Sequence, residues 1–147
     1  MRPTKLSRPA SARNLLVRNL ATSLILYERV QTTPTKARAA QAQTERLISV
    51  AKRWFAASNQ GQKLALRRRL LAGTADRLAV LKLTEVLADR FADRHGGYTR
   101  RRRLAQRLGD GAEQVIVTLT ERTDESAKES APKTQLSSSK QEINGAQ

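Results

Sequence analysis

Apolar residues in the first half of the chain recur with the period of two helices. Over 12–28 they are spaced by four, four and three residues, which places them on one helical face. They are Leu16, Leu20, Leu24 and Tyr27. A second helix is predicted to begin at Thr33-Pro34, since threonine suits the N-cap and proline suits the first helical position. Its apolar face comprises Ala37, Ala40, Thr44, Leu47, Ile48, Ala51 and Phe55.

The second half of the chain contains two shorter helical patterns and most of the strand signals. A third helix is predicted over about 62–72, ending at Gly73. A fourth is predicted over about 75–94, with Thr74 as its cap. Runs of β-branched residues and turn signals predict short strands at 29–33 and 114–121, and the arginine-rich segment 98–107 is a candidate for a third strand.

The two ends of the chain differ from this patterned middle. Residues 1–11 contain two prolines and three basic residues without apolar periodicity, so they are predicted to form a basic, extended arm. Residues 124–147 contain five serines and no aromatic residue, which predicts a disordered tail. One domain, 12–123, is left between them, and its length suits a single small core.

Composition excludes several classes of protein. The sequence has no cysteine and one histidine, His95, so it offers neither a disulfide framework nor a Cys- or His-based metal site. No run approaches the roughly 20 apolar residues of a membrane span, and no apolar segment follows the basic N-terminus as in a signal peptide. A GK[ST] phosphate loop is absent. We therefore expect no cofactor, no metal, no membrane partner and no small-molecule substrate.

Positive charge is the strongest compositional signal. The formal net charge is +15, and arginine outnumbers lysine by 20 to 8. The charge is +9 over 1–53, +7 over 54–123 and −1 over 124–147, so it is concentrated in the arm and the domain. Arginine has a planar, forked guanidinium that meets phosphate oxygens in pairs. This balance favours a protein that binds a polyanion, above all nucleic acid.

The densest basic segment is 100–103, four consecutive arginines that follow the sequence GGYT at 96–99. In a strand, alternate side chains point to opposite faces, so two of these arginines would face the helices. Burying them unpaired would be costly. Three alternatives follow: the strand begins later, both faces meet phosphate, or the inward pair lies beyond the edge of the core. The two glycines permit close approach to a ribose–phosphate chain.

Two further basic clusters precede this segment. The arginines 67–69 lie on the third helix, where consecutive side chains diverge by about 100° and cannot share one surface. The arm together with Arg13 and Arg18 forms the other cluster. Trp54 and Tyr98 are the candidates for stacking on bases, and with so few aromatic residues we expect binding to depend on phosphate and shape.

Two other functions remain open at this point. The third and fourth helices, joined at Gly73, could form a DNA-binding helix-turn-helix, but 74–94 mixes acidic and basic residues where a recognition helix needs Asn, Gln or Arg. Asp89 and Asp93 could serve a magnesium-dependent nuclease, but Arg90 and Arg94 beside them suit ordinary ion pairing within a helix. Both readings are weaker than that of an RNA-binding protein.

Several strings of this sequence resemble the bacterial large-subunit ribosomal protein seventeen family. They are RNLATSL at 18–24, ERVQTT at 28–33, Lys36-Ala37, Leu47-Ile48, Ala51-Lys52, Arg90-Phe91, Arg94, GGYTR at 96–100 and Gly109-Asp110. The resemblance covers about 13–122. The chain departs from the family in its Pro- and Ser-containing arm, in Tyr27 where histidine is frequent, and in Arg101 and Arg102 where apolar residues are usual.

The resemblance implies an α+β fold, with about four helices packed on a small mixed β-sheet. It implies a non-enzymatic, structural role: binding large-subunit rRNA near the exit of the peptide tunnel, in a bacterial cytoplasmic ribosome rather than an organellar one. Ribosomal protein thirty-two is the implied neighbour. The predicted RNA-binding residues are Arg2, Lys5, Arg8, Arg13, Arg18, Lys36, Arg68, Gly96, Gly97, Tyr98, Arg100, Arg101, Arg102 and Arg103.

Overall fold

The fold, in a computed structural model that describes residues 5–121, has helices on one face of a three-stranded sheet. The elements are α1 (Ala10–Tyr27), β1 (Arg29–Thr32), α2 (Pro34–Ala56), α3 (Gln60–Gly73), α4 (Arg77–Lys82), a π-helical turn (Leu83–Leu87), α5 (Ala88–Arg90), β2 (Thr99–Leu104) and β3 (Gln114–Leu119). The predicted tail, 124–147, and the first four residues of the predicted arm lie outside the described residues.

The sheet has the order β1-β3-β2, and both strand pairs are antiparallel. The expectation of a mixed sheet is therefore wrong, whereas the α+β class is confirmed. The reason is clear for β2 and β3, which are joined by only nine residues, 105–113. A parallel pair needs a crossover of a dozen or more residues, so this connection permits only a hairpin.

Helix α1 begins two residues earlier than predicted, which shortens the arm. Pro9 occupies the N-cap, and its carbonyl accepts the N–H of Arg13 at 3.0 Å. Proline suits this boundary because the first N–H groups of a helix have no intrahelical partner to lose. The described part of the arm is accordingly 5–9, where Leu6 and Ser7 have positive φ.

The core has two parts. Residues of α1, α2, α3 and the last helical segments form the larger part together with Tyr98 and Leu119. A smaller cluster of Leu24, Ala37, Val115 and Val117 joins α1 and α2 to the sheet. The predicted core positions of Phe55 and Tyr27 are wrong, since these side chains are 53% and 69% exposed. Phe55 lies one turn beyond Ala51, the last buried residue of α2. At the end of α1, Leu24 and Ile25 fill the core instead of Tyr27.

The segment predicted as one helix over 75–94 is interrupted by the π-helical turn. It begins at Arg77, with Asp76 rather than Thr74 as the cap, because Asp76 Oδ1 accepts the N–H of Leu78 at 3.0 Å. Lys82 and Arg90 flank the π turn, and eight residues of regular α-helix would set them about 80° apart. A π turn contains one extra residue, which offsets about 100° of this rotation. The side chains of Lys82 and Arg90 therefore project in nearly the same direction.

Candidate nucleic-acid interface

The four arginines 100–103 lie on β2, at one edge of the sheet, and all four are exposed. Residues directly opposite in an antiparallel pair point to the same face. The pairs across β2 and β3 are Arg100–Thr118, Arg101–Val117, Arg102–Ile116 and Arg103–Val115. Arg101 and Arg103 therefore point to the side of the buried valines, called here the inner face. Arg100 and Arg102 point to the opposite, outer face.

The inner pair of arginines lies beyond the edge of the core. Val115 and Val117 are buried, yet Arg101 and Arg103, their partners on β2, are exposed. The sequence left three alternatives open, and in the protein without RNA the third holds: the inward-pointing arginines lie beyond the edge of the core. No desolvation penalty for an unpaired buried guanidinium arises.

A cleft of about 590 Å³ lies between the inner face of β2 and the first turns of α2, and is called here the arginine cleft. It is lined by Pro34, Arg38, Gln41, Arg94, Gly97, Thr99, Arg100, Arg101, Arg102, Arg103, Val115 and Thr120. Six of these residues are arginines, and none of the described residues that line it is acidic. Small-molecule pockets are mostly apolar, so this lining suits a polyanion better.

The start of β2 is held on α2 by a short hydrogen-bond network. Thr99 Oγ1 donates to Glu45 Oε1 at 2.8 Å. Gln41 Nε2 donates to the same oxygen at 3.2 Å and lies 3.5 Å from the carbonyl oxygen of Thr99. These bonds hold the start of β2 on α2, so that the arginines project from a fixed strand.

The turn before β2 is built on Gly96, Gly97 and a buried Tyr98. Gly97 has φ of +64°, a left-handed conformation that glycine adopts without steric cost. Tyr98 is 4% exposed, its ring lies 5.2 Å from that of Phe91, and its hydroxyl donates to the carbonyl of Arg94. The candidate role of Tyr98 in stacking on bases is therefore wrong, because the ring is packed in the core. Tyr98 positions the turn instead.

Trp54, the other candidate for stacking, is half-buried near the end of α2. Lys63 Nζ lies 5.7 Å from the centroid of its ring, within cation–π range. An intramolecular cation therefore already occupies this ring, which leaves less of it for a base. Neither aromatic candidate offers a free platform, in agreement with binding through phosphate and shape.

The outer face of the sheet carries a second group of arginines. Arg29 and Arg100 both pair with Thr118, one from each side, so that the three form a row across the sheet. Arg102 follows in the next row, opposite Ile116. A shallow depression of about 280 Å³ lies among these arginines, and no acidic residue lines it within the described part of the chain.

The hairpin loop and the start of α2 form a third basic recess. It has a volume of about 340 Å³, and its charged lining residues are Lys36 and Arg107. Arg107 Nε donates to Asp110 Oδ1 at 2.9 Å, and the backbone N–H of Ala112 donates to the same atom at 3.2 Å. The hydrogen bond from Arg107 is the main cause, and together with that from Ala112 it lowers the pKa of the Asp110 carboxyl to about 2. The loop is thereby tied into one shape.

A buried acid lies behind this basic surface. Glu28, at the junction of α1 and β1, is 2% exposed and adopts φ of +57°. Lys82 Nζ and Arg90 Nη1 each lie 3.0 Å from its Oε1. Burial would raise the pKa of Glu28, but the hydrogen bonds from Lys82 and Arg90 outweigh it and lower the pKa. The anion thus ties the last helical segments to the strand that carries Arg29.

The predicted binding residues of the arm and α1 do not share one environment. Lys5 and Arg8 are exposed, whereas Arg13 is half-buried. Arg18 is also half-buried and donates to the carbonyl of Thr74 at 2.7 Å, so its guanidinium joins α1 to the end of α3. That contact gives Arg18 a structural role within the domain. Arg2 lies outside the described residues.

The remaining predicted residues fall into two places. Arg68 is exposed on α3, which packs against α2 and α4. Lys36, Gly97 and the arginines of β2 lie around the sheet. The structure therefore brings together the sheet-side residues and leaves Arg68 on a different element.

Four arginines of this surface were missed by sequence reasoning. They are Arg29, Arg38, Arg94 and Arg107. Strand alternation could have indicated Arg29, since a period of two residues points its side chain away from the face on which the partly buried Val30 lies. Arg38 and Arg94 carry no local signal, because they meet β2 only through the packing of α2 and the last helix.

Together, the fold and this surface define a small basic α+β protein with arginines on both faces of an edge strand. A profile of the family described as Ribosomal protein L17 matches residues 16–120. The chain belongs to this family, as its sequence resemblance indicated, and the family is one of structural proteins rather than enzymes.

Relatives with the name large ribosomal subunit protein bL17 are similar over most of their length. The relative from Exiguobacterium is 44% identical over 79% of this chain and 97% of its own. That from Fervidobacterium nodosum is 38% identical over 82% of this chain and 97% of its own. That from Clostridium botulinum is 37% identical over 78% and 95%.

Within residues 5–121, no helix combines the length and the apolar character that crossing a bilayer requires. In the same range, no three or more acidic or histidine side chains are grouped closely enough to hold a metal ion.

Proposed function

We propose that the chain is a structural constituent of the large ribosomal subunit and binds large-subunit rRNA near the polypeptide exit tunnel through phosphate contacts. The arginine cleft carries the proposal, because six arginines line it and no acidic residue does among the described residues. One of the six, Arg94, is paired with Glu121 beside the cleft. The names of the relatives, each a large ribosomal subunit protein, support the choice of subunit.

The proposed mechanism is neutralisation of phosphate charge. Each arginine that meets a phosphate releases condensed counterions, which lowers the free energy of packing RNA segments together. Lys36 lines a separate basic recess, and Lys5 and Arg8 of the arm are exposed and available for further phosphate contacts. If about ten phosphates are contacted, log K falls with log salt at a slope of about −7 to −9.

The proposed setting is a ribosome in the bacterial cytoplasm, with large-subunit rRNA and neighbouring ribosomal proteins as partners. Ribosomal protein thirty-two is the neighbour proposed by the family resemblance. Sedimentation tests this setting: a tagged copy of the full chain should co-migrate with the large subunit on a sucrose gradient and remain there after a moderate salt wash. Recovery with free protein or with the nucleoid would overturn the assignment.

A matched pair of variants tests the role of the cleft. Arg38 and Arg46 are both exposed arginines of α2, but only Arg38 lines the arginine cleft. We expect Arg38→Gln to reduce the salt slope for binding bacterial large-subunit rRNA by about 0.7 to 0.9, the share of one phosphate contact. Arg46→Gln should leave it unchanged. Equal slopes in the two variants would exclude the cleft as a phosphate site.

Competition between structured RNA and duplex DNA at equal salt separates the remaining alternative. A protein that recognises folded RNA should prefer the rRNA transcript over DNA of the same length. Equal or greater affinity for the duplex would favour the DNA-binding function.

A further inference from the structure

We propose that β2 bridges two separate segments of RNA, one on each face of the sheet. In this arrangement, which rests on the proposed function, Arg101 and Arg103 bind the phosphate backbone of one segment in the arginine cleft. Arg100 and Arg102 bind a second segment that crosses the outer face.

Each face has its own supporting arginine from a different element. On the inner face, Arg38 of α2 and Arg94 line the arginine cleft with Arg101 and Arg103, and Arg94 also pairs with Glu121. Arg100 and Arg102 border this cleft as well, although the strand register points their side chains to the outer face. On the outer face, Arg29 of β1 lines the same depression as Arg100 and Arg102. The two groups of cations therefore meet along β2, and each also contains an arginine from another element.

A single RNA strand that wraps around the free edge of β2 does not account for this arrangement. Arg29 lies on β1, and β3 separates β1 from β2. Neighbouring strands are about 4.8 Å apart, so Arg29 is set back from the free edge by about 10 Å. Arg38 is set back on the other side, because it projects from a helix below the sheet. An RNA strand at the free edge would contact β2 but would leave Arg29 and Arg38 without a phosphate partner.

The sheet between the two groups is closed to RNA. Val115 and Val117 pack against Leu24 and Ala37 on the inner face, so no backbone can pass from one side to the other through the sheet. On the outer face, Ile116 and Thr118 are half-buried and leave a shallow surface that is open along the sheet. Two segments can therefore lie on opposite sides of β2, each with its own cations.

This arrangement opposes the repulsion between two phosphate backbones. Four guanidinium groups on one strand alternate between the two segments, and each group neutralises charge on its own side. The hydrogen bond from Thr99 to Glu45 holds the strand in place. The protein thereby fixes the spacing between the two segments by the thickness of one sheet.

Two double variants of the full chain test the bridge, and each is the matched control of the other. Arg101→Gln with Arg103→Gln removes two charges from the inner face, and Arg100→Gln with Arg102→Gln removes two from the outer face of the same strand. Hydroxyl-radical footprinting on bacterial large-subunit rRNA then maps the protected riboses. We expect each double variant to lose a different set of protections and to lower the salt slope by about 1.4 to 1.8.

The other outcomes are distinct. If both double variants lose the same protections, a single RNA strand at the edge of β2 accounts for the binding, and the bridge is wrong. An unchanged footprint in the outer variant would also overturn the bridge, and would point to a protein neighbour on that face. If the wild-type chain itself protects no specific segment, the proposed function is wrong, and the bridge that rests on it is overturned as well.

Discussion

At the scale of single residues, Glu28 decides how α1 is joined to the sheet. A non-glycine residue in the left-handed region costs about 1 to 2 kcal/mol, and Glu28 adopts φ of +57° there. Its buried carboxylate bonds to Lys82 and Arg90, which holds this conformation in place. Because β1 starts at the next residue, the position of Arg29 on the outer face depends on this contact.

Replacing this acid should be costly for stability. Glu28→Gln removes the negative charge and leaves Lys82 and Arg90 facing a neutral amide, so we expect a loss of about 2 to 3 kcal/mol in the free energy of unfolding. Urea denaturation of the full chain measures it. The control is Glu121→Gln, because Glu121 also pairs with an arginine but is 44% exposed, and its pair should contribute less than about 1 kcal/mol. Similar losses in both variants would contradict the special role of Glu28.

The same residue predicts a response to acid. The pKa of Glu28 in the folded protein lies below its ordinary value of 4.5, because the effect of burial is outweighed by the hydrogen bonds from Lys82 and Arg90. The unfolded chain therefore binds the proton more readily, so the stabilisation is complete well above pH 4.5 and is lost as the pH falls through the lowered pKa. We expect the stability of the wild type to fall more steeply than that of Glu28→Gln between pH 5 and pH ~3 in urea titrations. Parallel curves would refute this.

At the scale of elements, the π-helical turn sets the phase of the last helix. It spans Leu83–Leu87 and lies between Lys82 and Arg90, whose side chains both reach Glu28. A π turn absorbs one residue without turning the flanking helix, so that Leu83, Leu87 and Phe91 all remain buried. The turn therefore keeps the core and the ion pairs in register with each other.

This reading predicts that one residue can be deleted from the turn. Deletion of the exposed Val86 should convert the π turn to regular α-helix and leave both flanks in place, with a loss within about 2 kcal/mol. Deletion of the exposed Arg46 from the regular helix α2 should rotate Leu47, Ile48 and Ala51 out of the core by about 100° and unfold the domain. Circular dichroism with thermal melting compares the two. Equal damage would show that the extra residue is not absorbed locally.

At the scale of the whole molecule, function and stability make opposite demands on charge. The net charge of +15 attracts a polyanion, but it also repels itself in the free protein. The repulsion is greatest where arginines crowd, as around the arginine cleft. Salt shortens the range of both effects, from about 10 Å at 0.1 M to about 3 Å at 1 M.

Salt should therefore act on folding and on binding with opposite signs. We expect the melting temperature of the free chain to rise by about 4 °C between low and high salt, as self-repulsion worth roughly 1 kcal/mol is screened. Over the same range, affinity for large-subunit rRNA should fall. The variant with Arg101→Gln and Arg103→Gln should melt higher than the wild type at low salt. A wild-type melting temperature that falls with salt would contradict this balance.

Local pattern was enough to predict most elements of the fold. The start of α2 at Pro34 and the strand β3 were predicted closely, because proline geometry and alternating β-branched residues act within a few positions. Phe55 was misplaced, since periodicity shows which side chains share a face and does not show what covers that face. Tyr98 was a candidate for stacking on bases because no local pattern shows that its ring packs against Phe91. The π turn was missed because no local pattern shows the contact that it serves. Lys82 and Arg90, on either side of the turn, pair with Glu28, which lies more than fifty residues earlier in the chain.

By itself, the sequence determined that this protein is basic, rich in arginine and organised around a strand with alternating arginines, because charge and alternation are properties of the chain at short range. Only the tertiary structure decided which cations act together. It placed Arg38 and Arg94 beside the inner face of β2, and Arg29 beside the outer face. It also turned Arg18 inward to Thr74. These outcomes depend on strand order and helix packing, which bring together residues far apart in the chain and therefore leave no local pattern.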